Sequence, residues 1–332
     1  MKSTLAILGF ALSSALCATA LSQGEIHSTL AARDSLERRL SLGLLPWEIL
    51  SAKPVGVKKM VVFGDSLSDT GNSRALLLKS QTAANPALWP EKFYKDGRWT
   101  NGNNWVDSLS KNLGASVENL AYGGSTSDAN FIPGQGVIGE KYLPDQMPGL
   151  VQQTSTWVAK NKGKFTKDIA ATTLFTVWSG ANDYFHKPDA APATVVKGIV
   201  TSLNALAAAG AKNIVVFNLP PASGLPWVTH NFLLASEILK FDFANPDIKV
   251  VSMAMEVSLA YVILNAQSFG YHITLQNATT PCITQPDITN FNTWSACASP
   301  ELMWDVHPTE KTHGIIAGLI RKELVNHNIL SA

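Results

Sequence analysis

Met60-Val61-Val62-Phe63-Gly64-Asp65-Ser66-Leu67-Ser68-Asp69-Thr70-Gly71-Asn72 decides how this chain folds. An uninterrupted apolar run, Met60 to Phe63, stops at a glycine and gives way to a polar turn. Compact runs of this kind read as strands buried on both faces of a sheet. The plan recurs along the chain. Val117 to Ala121 leads into Tyr122-Gly123-Gly124, Thr172 to Trp178 into Ser179-Gly180, and Asn213 to Phe217 into Asn218-Leu219-Pro220-Pro221.

Helical patterns separate these runs. Asn103 to Leu113 places Trp105, Val106, Leu109 and Leu113 on one face. Val195 to Ala209 does the same with Val195, Val196, Ile199, Leu203 and Leu206, and Gly210 is a helix-stopping glycine. Met253 to Phe269 and Thr309 to Val325 also read as helices, while Gly97–Asn104 and Pro281–Pro300 read as loops. Strands alternating with helices predict right-handed crossovers and a three-layer α/β/α sandwich around a mainly parallel sheet. Ligands in such folds bind beyond the carboxyl ends of the strands.

A chain of 332 residues, 46% hydrophobic and 15% charged, suffices for a sizeable core. The 26 basic and 25 acidic residues leave a formal net charge of +1, and no polybasic block stands out. Nucleic acid is therefore not an expected partner.

Residues 1–20 read as a signal peptide: Lys2, an apolar stretch from Leu5 to Leu16, then Ala18-Thr19-Ala20. The stretch is shorter than the roughly 20 residues a spanning helix needs, so export without a stable membrane span is expected. Residues 21–59, leucine-rich and carrying Arg38-Arg39, form either a packed N-terminal extension or a pro-segment. Residues 60–332 then form one domain. Of three cysteines, Cys17 leaves with the signal peptide, and Cys282 and Cys297 are expected to pair. A loop of that size contributes about 3 kcal/mol in the chain-entropy picture. Asn277-Ala278-Thr279 is an N-glycosylation sequon.

The chemistry-bearing residues follow the strands. Ser66 lies after the first, Gly123-Gly124-Ser125 after the second, Asn182-Asp183 after the third, and Asp305-Val306-His307-Pro308 near the C-terminus. Acyl transfer needs such parts. A serine hydroxyl needs an imidazole to take its proton, and the developing oxyanion needs preformed N–H donors. Glycine amides suit that task because no Cβ obstructs the approach.

Phe63-Gly64-Asp65-Ser66-Leu67-Ser68-Asp69-Thr70-Gly71-Asn72 resembles the first block of the GDSL, or SGNH-hydrolase, family of esterases and lipases. Gly97-Arg98-Trp99-Thr100-Asn101-Gly102, Asn119 to Gly124, Trp178 to Asp183, and Trp304 to Thr309 resemble its later blocks in order. The resemblance implies a flavodoxin-like α/β sandwich and a secreted serine ester hydrolase without metal or other cofactor. It implies Ser66 as nucleophile, His307 as base, and oxyanion donors at Ser66, Gly124 and Asn182. Gly124 is preferred over Gly123 because it lies five residues beyond Asn119, as in the family.

The family separates its aspartate and histidine by two residues, whereas Val306 alone separates Asp305 from His307. Either Asp305 reaches the imidazole through a turn, or a carbonyl or water orients it. The expected substrate is an ester, of a lipid or of an acetylated carbohydrate. A secreted binding protein on an impaired scaffold is the alternative. His313, lacking an adjacent acid, is the weaker candidate base, and Asp65, Asp69 and Asp183 are expected to hydrogen-bond within their loops. Most of Trp89, Phe93, Tyr94, Trp99 and Trp105 are expected in the core.

Overall fold

The computed structural model describes residues 56–79, 94–138, 141–221, 224–273, 278, 280–283 and 302–331. The signal-peptide reading, nearly all of the 21–59 extension, Asn277 and Cys297 lie outside these residues.

Five parallel strands form the central sheet: β1 (Lys59–Gly64), β2 (Ser116–Asn119), β5 (Thr173–Trp178), β6 (Asn213–Phe217) and β7 (Lys249–Met253). Their spatial order is β2-β1-β5-β6-β7. A separate antiparallel pair, β3 (Gly134–Ile138) and β4 (Lys141–Met147), lies between β2 and β5 in the chain.

The alternation of side chains along β1 explains the three layers. Met60 and Val62 point to one face. There they pack with Trp105, Val106 and Leu109 of α2 (Trp105–Leu113), and with Ile316, Ile320 and Leu324 of α9 (Glu310–Asn326). Met255 and Leu259 of α8 (Met255–Leu264) complete that layer. Val61 and Phe63 point to the other face. They meet Leu150 and Trp157 of α3 (Leu150–Asn161), Ile199 and Leu203 of α6 (Pro192–Ala208), and Leu234 and Ile238 of α7 (Leu225–Ala244). Three shorter helices, α1 (Asn72–Lys79), α4 (Lys167–Thr172) and α5 (Ala181–His186), complete the described set. The expected α/β/α sandwich is the observed one.

Most boundaries shift by one to three residues, and one helix differs more. The helix expected from Met253 to Phe269 begins only at Met255, because Lys249–Met253 is the fifth strand, paired with β6. It also breaks at Asn265 before a short 3-10 turn, Ala266–Phe269. Helix caps fix the two elements nearest the site. Asn104 caps α2 by accepting from the Val106 and Asp107 amides, with Asp107 returning a bond to the Asn104 amide. Thr309 caps α9 through the Thr312 amide.

Leu203 is fully buried between α6 and the sheet. Leu203→Ala is expected to lower stability by about 2–5 kcal/mol, read as a fall in the urea midpoint without a change in slope.

Candidate active site

The site begins where β1 ends. A Cβ on Gly64 would lie 2.4 Å from the Trp178 carbonyl oxygen, so only glycine lets β1 and β5 approach here. The Gln153 side chain clasps this point. Its Oε1 accepts from the Gly64 amide (2.9 Å), and its Nε2 donates to the Gly64 carbonyl (2.9 Å) and Ser125 Oγ (3.1 Å). The chain then turns, with the Ser68 and Asp69 amides donating to the Asp65 carbonyl. Ser66 is left partly exposed while Asp65, Ser68 and Asp69 are buried.

Asp69 organises the surroundings. Its Oδ1 accepts from the Gly71 (2.8 Å) and Asn72 (2.7 Å) amides at the start of α1. Its Oδ2 accepts from the Ser73 amide (3.1 Å), the Gly123 amide (3.1 Å) and Trp99 Nε1 (3.3 Å). Ser73 Oγ takes the Gly123 amide as well, at 2.8 Å. Gly123 therefore has its N–H committed, whereas the Gly124 N–H meets no acceptor among the described residues. Gly124 has a φ of 80°, a left-handed conformation that suits glycine. The geometry favours Gly124 over Gly123 as a donor to a ligand.

Helix α5 braces the same loop from the other side. Asn182 Nδ2 donates to the Ser125 carbonyl at 2.9 Å, which leaves one of its two amide hydrogens for another acceptor. Asp183 accepts from the Ser127 amide (2.8 Å) and hydroxyl (2.6 Å), and His186 Nε2 lies 3.3 Å from the Gly124 carbonyl oxygen.

The fourth component is a tight reversal at Trp304–His307. The Trp304 amide donates to the His307 carbonyl (2.7 Å), and Met303 bridges Pro308. Thr100 Oγ1 holds the reversal by donating to the Pro308 carbonyl at 2.8 Å. Within it, Asp305 Oδ1 accepts from the His307 amide and lies 2.8 Å from His307 Nδ1. An Asp side chain reaching the amide two residues on is a local turn, and that turn carries the carboxylate to the imidazole despite the short spacing. His307 Nε2 in turn lies 2.8 Å from Ser66 Oγ. The His307 ring packs on Trp99, centroids 5.7 Å apart, and Tyr94 O–H donates to Asp305 Oδ2.

Burial and charge act in opposite senses here. Burial disfavours the imidazolium of His307, but Asp305, with lesser help from Asp65, outweighs it and raises the His307 pKa. Burial likewise opposes the Asp305 carboxylate, while His307 and Tyr94 bring its pKa below the ordinary value. Asp65 is pushed up to about 7 and Asp183 to about 6, each chiefly by burial. His313 is buried in α9, and burial depresses it to about 3; the ring that lies against Ser66 Oγ is that of His307. His230, packed on Gly180 and 3.0 Å from Tyr184 Oη, is depressed to about 3 for the same reason.

Direct contacts thus join Ser66, His307 and Asp305, while Asp69–Gly123 and Asn182–Ser125 bonds tie the Gly124 loop and Asn182 to the same carboxyl edge of the sheet. The loop role expected for Asp65 and Asp69 holds, whereas the Asp183 carboxylate reaches across to Ser127 instead of bonding within its own loop. The parts that the sequence reading missed are Tyr94 as a partner of Asp305, Trp99 as a shelf for His307, and the Gln153 clasp. Among the described residues, no group of three or more His, Cys, Asp or Glu is arranged for a metal ion.

Residues 60–320 match the family described as GDSL-like Lipase/Acylhydrolase. The chain belongs to that family. Among related GDSL-like proteins, the thermolabile hemolysin of Vibrio parahaemolyticus is 28% identical over 80% of this chain and 63% of its own length. An acetylesterase of Thermothelomyces thermophilus is 30% identical over 55% of this chain and 60% of its own. The secreted effector protein SseJ of Salmonella typhimurium is 24% identical over 82% and 64%. The chain therefore spans somewhat under two thirds of the length of these relatives. A solved lipase/acylhydrolase from Enterococcus faecalis aligns with a TM-score of 0.41 at 12% identity, covering 81% of this chain and 96% of that one.

In an NMR pH titration, His307 is expected to titrate above the value of a free imidazole, about 6.5. His230 and His313 are expected to stay neutral down to about pH 3.

Proposed function

We propose that this GDSL-like chain is a secreted carboxylic ester hydrolase that works through an acyl-enzyme on Ser66. The observation that carries the reading is the continuous Ser66 Oγ–His307 Nε2 and His307 Nδ1–Asp305 Oδ1 pair of contacts, each 2.8 Å. In the resting enzyme Nδ1–H donates to Asp305, and the bare Nε2 accepts the Ser66 proton. Attack of Oγ on the ester carbonyl forms the C–O bond as that proton moves to Nε2. The carbonyl oxygen becomes an oxyanion held by the Ser66 and Gly124 amides and the free Asn182 amide hydrogen. Collapse expels the alcohol, which takes the proton from the imidazolium. Water then repeats the sequence on the acyl-enzyme and restores Ser66.

For the substrate, an ester with an apolar acyl chain is the favoured reading. Val306, at the tip of the reversal that carries His307, is 67% exposed, and Phe185, three residues beyond Asn182, is 66% exposed. Trp227 packs beside Phe185, with ring centroids 5.8 Å apart. Exposed apolar side chains next to His307 and close in sequence to Asn182 suit acyl chains better than sugar hydroxyls. The acetylesterase relative supports an acetyl ester, in keeping with the second reading, an acetylated carbohydrate. The binding-protein alternative rested on the short Asp305–His307 spacing, which costs no contact here. Secretion rests on the signal-like residues 1–20, alongside the secreted SseJ relative. No described helix is long and apolar enough to cross a membrane.

The deciding experiment is turnover of p-nitrophenyl esters from acetyl to palmitoyl by the wild type and Ser66→Ala. Ser66→Ala is expected to lose at least about 10³-fold in kcat, with wild-type kcat/KM rising beyond the acetyl ester. Full activity in the variant would overturn the nucleophile, and activity confined to the acetyl ester would overturn the acyl-chain reading. Catalysis needs neutral His307, whose pKa is raised. The acid limb of kcat/KM is therefore expected above the pH of about 6.5 that governs a free imidazole, activity falling as pH drops through it.

A further inference from the structure

We infer that Tyr94 is a fourth member of the proton-handling chain, a positioning residue that acts on His307 through Asp305. The inference rests on the Ser66–His307 esterase reading and adds a residue that the sequence motifs do not contain.

The argument starts from the shortened spacing. Because only Val306 intervenes, Asp305 Oδ1 is used twice, by the His307 amide and by Nδ1, both at 2.8 Å. Both contacts fall on one oxygen. Oδ2 faces away from the histidine, in a residue only 8% exposed. A buried carboxylate oxygen without a donor is costly, and a carboxylate held at one end only is free to rock about its side-chain torsions. Tyr94 O–H meets this need by donating to Oδ2.

Tyr94 is itself held in place. It is 2% exposed, and its ring packs against Trp99 with centroids 5.6 Å apart. Trp99 donates to Asp69 Oδ2 and supports the His307 ring. Met147, Ile283 and Trp304 complete the apolar cluster around Tyr94 and Trp99. The aromatic pair thus holds both ends of the Asp305–His307 unit, Tyr94 the carboxylate and Trp99 the imidazole. Tyr94 keeps its proton throughout: burial and the neighbouring Asp305 charge both raise its pKa well above the ordinary value. It acts as a donor, never as a base.

The phenol also sets the charge that His307 feels. A hydrogen bond to Oδ2 draws off part of the Asp305 negative charge, so its removal leaves a stronger counter-charge and a more stable imidazolium. The other ionisable groups acting on this pair are Asp65, which favours the imidazolium, and His313, which stays neutral.

The test is a double-mutant cycle of Tyr94→Phe and Asp305→Asn, with Ser66→Ala alongside. Tyr94→Phe keeps the ring and removes only the hydroxyl. It is expected to lower kcat roughly tenfold with little change in KM, the size of one charge-assisted hydrogen bond. The acid limb of kcat/KM should move to higher pH. In the Asp305→Asn background the same substitution should change kcat less than about twofold, since the phenol acts only through the carboxylate. An unchanged acid limb, or losses that simply multiply in the double variant, would overturn the inference even with the esterase reading intact. Turnover surviving in Ser66→Ala would instead overturn the reading beneath it. If Tyr94→Phe does not fold, Trp99→Phe with Tyr94 intact provides the second measurement. It should lower kcat without moving the acid limb, and a limb shift there would assign the effect to ring packing and overturn the role of the hydroxyl.

Discussion

Asp69 is a buried carboxylate that collects N–H donors from three separate parts of the chain. Its own turn supplies Gly71 and Asn72, the first turn of α1 supplies Ser73, and the more distant donors are Gly123 and the Trp99 indole. A carboxylate removed from water requires such donors. The requirement explains why the nucleophile turn, the glycine loop and the aromatic shelf come together. By taking the Gly123 amide, Asp69 also decides which glycine N–H remains for a ligand. By taking the Trp99 indole, it fixes the surface on which the His307 ring rests. The acid that sets the geometry of the site touches neither the Ser66 hydroxyl nor the His307 ring.

Much of this was legible in the chain. The apolar runs located four of the five sheet strands: β1, β5 and β6 are buried on both faces and leave an apolar record, while the more exposed edge strand β2 was marked by the run from Val117 to Ala121. The fifth, Lys249–Met253, is an edge strand with a mixed burial pattern, and its sequence runs directly into the helix that follows. Nothing local separates the two. The β3–β4 pair was also missed, its strands interrupted by Gly136 and Pro144. Ser66, Gly124 and Asn182 were expected because each follows a strand, and His307 because it lies in a motif just before α9. Tyr94 was not, since its partner lies 211 residues away and no local pattern records that pairing.

Two kinds of buried histidine share this molecule. His230 and His313 are enclosed without a carboxylate to balance a proton; burial keeps both neutral, and the nearby His307 adds to the effect on His313. His307 is also buried, at 8% exposure, yet Asp305 reverses the outcome. Burial in itself therefore does not identify a base; the charge placed beside the ring does. The same contrast separates Asp65, pushed up to about 7 by its burial, from Asp305, brought down by His307 and Tyr94.

The reversal at Trp304–His307 divides its four residues sharply. Trp304, Asp305 and His307 are turned inward and held by hydrogen bonds or packing, while Val306 projects from the tip. A side chain at the tip makes no packing contact that holds its two buried, mutually hydrogen-bonded neighbours in place. The compressed spacing thereby leaves one solvent-facing side chain wedged between two buried ones, the most open part of the reversal to anything that approaches from outside.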